Sequence, residues 1–240
     1  MQLKHLFYTL LFLSNLAFGQ NKLDIVPLQG DYYIFTTYNF FGDKLFPANG
    51  MYCVTNQGVV MIDTPWDTTQ FQPLLDTIKQ RHHQKVVLCI ATHYHDDRTG
   101  GFDFLRKQGV KTFSSAQTLQ LCKEKEGKQA EFTFSKDTIF QVGNHSFETF
   151  YAGEGHTKDN LVIWCKKEQI LYGGCLVKSI DADGLGNLAD ANVTAWTPTI
   201  KRVQKKFKKA KIVIPGHYNW SNKNALKHTL RLLKDFQSKK

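Results

Sequence analysis

Short apolar runs separated by polar, glycine-containing turns recur along most of the chain. Runs of this kind, rich in β-branched and aromatic residues, are typical of strands. They predict eleven strands, at residues 22–26, 32–37, 51–55, 59–63, 86–91, 110–113, 138–141, 145–150, 160–165, 170–172 and 212–214.

Apolar positions three and four residues apart predict helices between these strands. One helix opens with Thr64 as its cap and Pro65 at its first position, and it places Phe71 and Ile78 on one face. No linker rich in proline, glycine or serine divides the chain, which predicts a single domain over residues 20–240 with two packed sheets and helices outside. The other helices are predicted at residues 102–106, 116–125, 197–211 and 225–236.

One polar position and one aromatic segment stand out from this pattern. Residues 38–47 form an aromatic-rich stretch that predicts a loop, either a flap over a site or a turn whose rings enter the core. His145 lies at a predicted hairpin turn, which indicates an exposed side chain.

The first nineteen residues have the pattern of an export signal. Lys4 and His5 precede an apolar run at residues 6–13, and small residues flank Phe18 before a cut between Gly19 and Gln20. The alternative is an uncleaved membrane anchor, but the run is shorter than the ~20 residues that a membrane span requires. The pattern therefore predicts a signal peptide at residues 1–19 and an exported, periplasmic protein without a membrane span.

The composition adds a basic charge and five cysteines. The formal charge of +10 falls to +9 when Lys4 leaves with the signal (10 − 1), which could favour anionic ligands or solubility. We interpret the lysines of residues 197–211 as a solvated face, with binding to an anionic surface as the alternative. Zinc-finger spacing and basic–aromatic interleaving are absent, so no nucleic-acid partner is expected.

An odd number of cysteines leaves at least one thiol unpaired. Cys53, Cys89 and Cys165 lie in apolar runs and are best explained as buried small side chains, and Cys122 falls on a predicted helix. Cys175 differs because it follows two glycines at the end of a strand, where a thiolate can bind a metal.

Four predicted loops carry possible metal ligands directly after strands. The first of them, at residues 92–98, offers two imidazoles and a carboxylate on one turn. Six nitrogen, oxygen and sulfur donors in this setting suit two zinc ions that each keep an open position. The donors are His93, His95, Asp97, His156, Cys175 and His217.

With these motifs the sequence resembles the class B metallo-β-lactamases, in the subclass with one three-histidine and one Asp-Cys-His zinc site. The matching segments are residues 93–98, 155–160, 174–178 and 216–217, and the resemblance covers nearly all of the mature chain. It implies an α+β fold, a four-layer αββα sandwich of two mixed sheets with helices on the outer faces. Tyr94 and the residues after His217 depart from the usual family pattern and could reshape the pocket.

The resemblance also implies residue roles. His93, His95 and His156 would hold the first zinc, and Asp97, Cys175 and His217 the second. Asp97 would also orient the nucleophile, Lys178 would bind the substrate carboxylate, and Asn187 its carbonyl oxygen. Asp63 is expected to support Arg98 or a ligand histidine from outside the ligand set.

The implied activity is zinc-dependent hydrolysis of β-lactam antibiotics by a metal-bound hydroxide, giving antibiotic resistance. Penicillins and cephalosporins are the expected substrates, with carbapenems by extension, and the enzyme is expected to act as a monomer. A thioesterase or lactonase of the same superfamily is the alternative enzyme, but Arg98 and Cys175 argue against it. A zinc-scavenging protein is the alternative outside catalysis, although a structural zinc site would have four protein donors.

Overall fold

The computed structural model describes residues 22–239, so the proposed signal peptide lies outside the described residues. The first seven strands form one mixed sheet in chain order, antiparallel from β1 to β4 and parallel from β4 to β7. They are β1 (Leu23–Gln29), β2 (Tyr32–Phe41), β3 (Lys44–Thr55), β4 (Gly58–Ile62), β5 (Val86–Ile90), β6 (Lys111–Ser115) and β7 (Phe132–Phe134).

The second sheet has the order β12-β11-β10-β9-β8, and only β11 and β12 run parallel. Its strands are β8 (Ile139–Val142), β9 (His145–Phe150), β10 (Val162–Cys165), β11 (Ile170–Gly174) and β12 (Ile212–Pro215). The helices are α1 (Phe71–His82), α2 (Asp96–Thr99), α3 (Phe102–Lys107), α4 (Ala116–Glu124), α5 (Val193–Lys206) and α6 (Ala225–Ser238).

Alternation along the strands assigns each side chain to one of two cores. On β3, Met51 and Cys53 face the second sheet, while Tyr52 between them packs under the helices of its own sheet. On β11, Tyr172 and Leu171 divide in the same way. Because side chains alternate across a strand, each sheet presents one apolar face to its partner and another to its helices.

Each sheet is covered on its outer face by its own helices. Phe71 and Ile78 of α1 and Phe102 of α3 pack on the first sheet. Trp196 of α5 and Leu233 of α6 pack on the second. The order helix, sheet, sheet, helix confirms the predicted four-layer α+β sandwich.

Three local predictions are wrong. Residues 38–47 are not a loop but the outer part of the β2–β3 hairpin, in which Gly42 adopts φ +61° at the turn. The first helix begins at Phe71, not after Thr64, because a 3₁₀ turn capped by the Asp67 carboxylate precedes it. His145 is buried rather than exposed, because its ring packs edge-on against Tyr32 between the sheets.

All five cysteines are free and buried in the described structure. Cys53, Cys89 and Cys165 lie in the cores as expected, and Cys122 lies on α4. Among residues 22–239, none of the helices combines the length and the apolar character of a membrane span.

We predict that Phe147→Ala lowers the free energy of unfolding by about 3–5 kcal/mol, because this fully buried ring fills the space between the sheets. Phe40→Ala is the matched control, since that ring is 67% exposed and its loss should change stability by no more than about 0.5 kcal/mol. Urea unfolding of both variants measures the difference. Equal losses would contradict the assignment of Phe147 to the core.

Candidate metal centre

The candidate ligand loops all lie at one edge of the sandwich. These loops follow the carboxyl ends of β5, β9, β11 and β12, which end at Ile90, Phe150, Gly174 and Pro215. Parallel strands end at the same edge of a sheet, and both sheets turn this edge towards one cleft. Residues up to 124 positions apart in sequence, from His93 to His217, therefore meet in space.

Three histidines form the first donor group. His93 Nε2 lies 3.1 Å from His95 Nδ1, and His156 Nε2 lies 3.2 Å from the same atom. His93 and His156 are buried, and burial holds the pKa of both imidazoles well below the ordinary value. Both are therefore neutral near pH 7, which is the form of histidine that binds metal ions.

Asp97, Cys175 and His217 form the second donor group. His217 Nε2 lies 3.1 Å from Cys175 Sγ and 3.3 Å from Asp97 Oδ2, and these two atoms are 3.6 Å apart. His93 joins the groups, because its donor atom lies within 4.8 Å of those of Asp97 and Cys175. The two groups are thus neighbours in a single cleft.

The protonation states of the second group are set by burial and by Arg98. Burial alone would raise the pKa of Asp97, but the Arg98 guanidinium and the His217 imidazole outweigh it and hold that pKa well below its ordinary value. Burial raises the pKa of the Cys175 thiol to about 12, and Arg98 opposes the rise. A bound metal deprotonates a coordinating thiol outright, so this pKa does not prevent ligation.

Arg98 is a fully buried cation behind the second group. Its Nη2 lies 2.8 Å from Asp97 Oδ2 and donates to Cys175 Sγ at 3.0 Å and to the carbonyl of Gly216 at 2.9 Å. Its Nη1 donates to the carbonyl of Asn49 at 2.6 Å and lies 3.3 Å from Asp63 Oδ2. One guanidinium thus contacts four separate segments of the chain.

Asp63 anchors this network on the first sheet. Its carboxylate accepts hydrogen bonds from the backbone nitrogen and the hydroxyl of Thr92 at 2.7 and 2.9 Å, and from the Tyr172 hydroxyl at 2.8 Å. Asp63 itself adopts φ +63°, a conformation that is uncommon outside glycine and is concentrated at functional sites. The structure therefore brings Asp63 and Arg98 together directly behind the His93 and Cys175 loops.

Two local features shape the remaining ligand loops. The Asn160 side chain accepts from the backbone nitrogen of Thr157 at 3.0 Å and donates to the carbonyl of Gly153 at 2.9 Å, which closes the turn that carries His156. At Gly216, a Cβ atom would lie only 2.8 Å from Cys175 Sγ. Glycine therefore allows the two ligand loops to approach each other here.

Asp190 belongs to the site but was not predicted from the sequence. Its Oδ2 lies 3.1 Å from His95 Nε2. Because His95 Nε2 donates to Asp190, Nδ1 is left without a proton and faces the other two histidines. On the opposite side, His217 Nδ1 donates to the carbonyl of Pro47 at 2.7 Å and leaves Nε2 facing the donor group.

A cleft of about 450 Å³ opens above the donors. Its walls include the rings of Phe46 and Trp66, and Phe46 contacts His217 at 5.1 Å between ring centroids. Lys178 lines the cleft and is 9% exposed, with Nζ 5.2 Å from the centroid of a Trp196 ring. Asn187 lies on the exposed rim, where its Oδ1 accepts from the backbone nitrogen of Ala189.

The donor set fits zinc. Tetrahedral zinc with Zn–N bonds of about 2.0–2.1 Å and Zn–S bonds of about 2.3 Å separates its ligand atoms by about 3.3–3.6 Å. The separations within the two groups run from 3.1 to 3.6 Å. Three donors per group leave one tetrahedral position open on each ion, which is the coordination of a catalytic rather than a structural site.

Comparison with known proteins agrees with this geometry. The family model of the metallo-beta-lactamase superfamily matches residues 44–217. A metallo-beta-lactamase type 2 of Elizabethkingia meningoseptica is 40% identical over 225 residues, covering 93% of this chain and 90% of that protein. Metallo-beta-lactamase IND-1 of Chryseobacterium indologenes is 42% identical over 230 residues, covering 95% and 96%.

Solved structures give the same result. The metallo-beta-lactamase from Pontibacter korlensis superposes with a TM-score of 0.86 at 37% identity and covers 89% of this chain and 100% of its own. Metallo-beta-lactamase IND-7 also reaches 0.86, at 41% identity, with coverage of 88% and 98%.

This chain belongs to the metallo-beta-lactamase superfamily. Within it, the named relatives are class B metallo-β-lactamases, and the two donor groups described above fit the two zinc sites of that class. The resemblance inferred from the sequence motifs is confirmed.

We predict that Asp190→Ala weakens zinc binding at the three-histidine group by about 10- to 100-fold, because His95 loses the acceptor that fixes its orientation. Competition with a chromophoric chelator measures the affinity. Asp183→Ala is the control, since Asp183 is exposed in the same loop and should leave the affinity unchanged. Wild-type affinity in Asp190→Ala would show that packing alone orients His95.

Proposed function

We propose that this protein hydrolyses the amide bond of β-lactam antibiotics with two zinc ions and thereby confers resistance. The observation that carries the proposal is the pair of three-donor groups that share one open cleft. The relatives of the protein that were named above are metallo-beta-lactamases, and the similarity covers 90% and 96% of their lengths. Penicillins and cephalosporins are the proposed substrates, with carbapenems by extension.

In this proposal His93, His95 and His156 hold one zinc, and Asp97, Cys175 and His217 hold the other. Bound zinc lowers the pKa of a coordinated water and polarises a carbonyl, so it supplies both a nucleophile and an electrophile near pH 7. Asp97 has a catalytic as well as a ligating role, because its carboxylate is fixed by Arg98 and can orient the attacking water.

Lys178 and Asn187 are the proposed substrate-binding residues. Among residues 22–239, no carboxylate lies within ion-pair distance of Lys178 Nζ, so its ammonium group can bind the carboxylate that penicillins and cephalosporins carry. Asn187 on the exposed rim is proposed to donate to the lactam carbonyl oxygen through its amide nitrogen. Phe46 and Trp66 provide apolar walls for the substituents of the drug.

Residues 1–19 are proposed to export the protein to the periplasm, and residues 20–240 to form the mature single-domain enzyme. A monomer suffices for this function, because all six proposed zinc ligands come from one chain. Small-molecule β-lactams are the only partners that the reaction requires.

The decisive experiment is turnover of a chromogenic cephalosporin by the mature protein before and after zinc removal. We expect hydrolysis that disappears with the chelator and returns when zinc is added back, because the nucleophile depends on the metal. Hydrolysis that survives complete zinc removal would exclude the proposed mechanism. Tight zinc binding without any lactam turnover would instead favour the scavenging alternative.

We predict that Lys178→Ala lowers kcat/KM for a cephalosporin by about 10- to 100-fold, since a charged hydrogen bond contributes about 1.5–3 kcal/mol. The same drug with its carboxylate esterified should lose almost nothing, because it has no anion to bind. Lys201→Ala, an exposed lysine of α5, is the control for removal of one charge. Equal losses on the acid and the ester would remove the proposed role of Lys178.

A further inference from the structure

The end of the sandwich opposite the cleft carries a dense group of lysines. The metal loops follow the carboxyl ends of β11 and β12, so the segments before Ile170 and Ile212 lie at the other end. These segments are joined, because the backbone nitrogen of Lys211 donates to the carbonyl of Gln169 at 2.9 Å. We call this surface the basic end; its exposed lysines are Lys166, Lys167, Lys205, Lys208, Lys209 and Lys211.

Among residues 22–239, most of the positive charge of the basic end has no carboxylate paired with it. Glu148 is paired with a further lysine, Lys206, at 3.0 Å. Glu168 lies 3.9 Å from Lys167, but its side chain is only 12% exposed. Within residues 22–239, none of the other five lysines of the basic end has a carboxylate within 4.0 Å of its ammonium group.

The same charge extends onto the first sheet. Lys85, immediately before β5, and Lys111, the first residue of β6, are exposed, and the carboxyl ends of both strands point to the cleft. Both lysines therefore lie at the same end of the sandwich as the basic end, away from the cleft. Positive charge thus spans both sheets on the side that faces away from the metal centre.

The basic end offers charge but no exposed aromatic ring. Lys206 covers the rings of Phe150 and Phe207, with Nζ 4.4 and 5.6 Å from their centroids. The exposed large apolar side chains of the described structure lie on other segments. A surface of this kind has no platform for stacking nucleic-acid bases and no side chain to insert into a bilayer.

We propose that the basic end docks the exported protein onto an anionic phospholipid membrane surface. Its six cations are all lysines, which act as hydrated point charges and suit a diffuse layer of headgroup phosphates, whereas arginine suits fixed bidentate sites. A lysine adds to the attraction only when it lies within about one Debye length of the membrane surface. The contact is therefore weakened by salt and reversible. In this orientation the cleft, at the other end of the strands, stays open to solvent.

The test is co-sedimentation of the mature protein with vesicles of phosphatidylcholine alone or with added phosphatidylglycerol. We expect binding only to the anionic vesicles and its loss when salt is raised to about 0.5 M. The variant with Lys166→Gln, Lys205→Gln, Lys208→Gln and Lys209→Gln should bind at least about 30-fold more weakly, since each lysine near an anionic surface contributes independently.

A matched variant removes the same four charges elsewhere: Lys44→Gln, Lys123→Gln, Lys158→Gln and Lys234→Gln, all exposed and outside the basic end. It should lose less than about threefold in binding, as expected for net charge alone at a distance beyond one Debye length. Equal losses in both variants, or no wild-type binding, would overturn the proposal. Binding to a DNA duplex but not to vesicles, with the same loss in the first variant, would assign the surface to nucleic acid instead.

Discussion

The buried guanidinium of Arg98 is the interaction on which the site depends most. It lies where the two sheets meet and contacts the carboxylates of Asp97 and Asp63, the thiol of Cys175 and the carbonyls of Asn49 and Gly216. Removing one partner from such a buried charge network typically costs about 3–5 kcal/mol, because the remaining charge is left without compensation. The network therefore ties the integrity of the second donor group to the packing of the two sheets.

Arg98 also explains how loops can hold a precise metal geometry. Loops are usually the mobile parts of a fold, but here each ligand loop is fixed by a polar contact to its neighbours. Asp63 holds Thr92 beside His93, Asp190 holds His95, and Arg98 holds the Cys175 loop. These hydrogen bonds connect the ligand loops to the regular strands that precede them, and the strands make the loops rigid.

Much of the architecture and of the donor set could be predicted from the sequence, because both depend on local order. A donor directly after an apolar run is visible in the chain, and this pattern identified His93, Cys175 and His217. The contact of Asp190 with His95 could not be predicted, because the two residues are 95 positions apart and Asp190 lies in an irregular segment without a recognisable sequence pattern. The burial of His145 was missed for a related reason, because its ring partner Tyr32 comes from the other sheet.

The β2–β3 hairpin is attached to the metal centre at its base. Asn49 donates through its side chain to the carbonyls of Pro215 and Tyr218, and the carbonyl of Pro47 accepts from His217. The base of the hairpin is therefore held by His217, a member of the second donor group. Changes in the length or sequence of the hairpin tip, on the side of Pro47 away from Asn49, alter the reach of the hairpin over the cleft at little cost in stability. A one-residue shift in register at Pro47 would instead rotate His217 away from its partners.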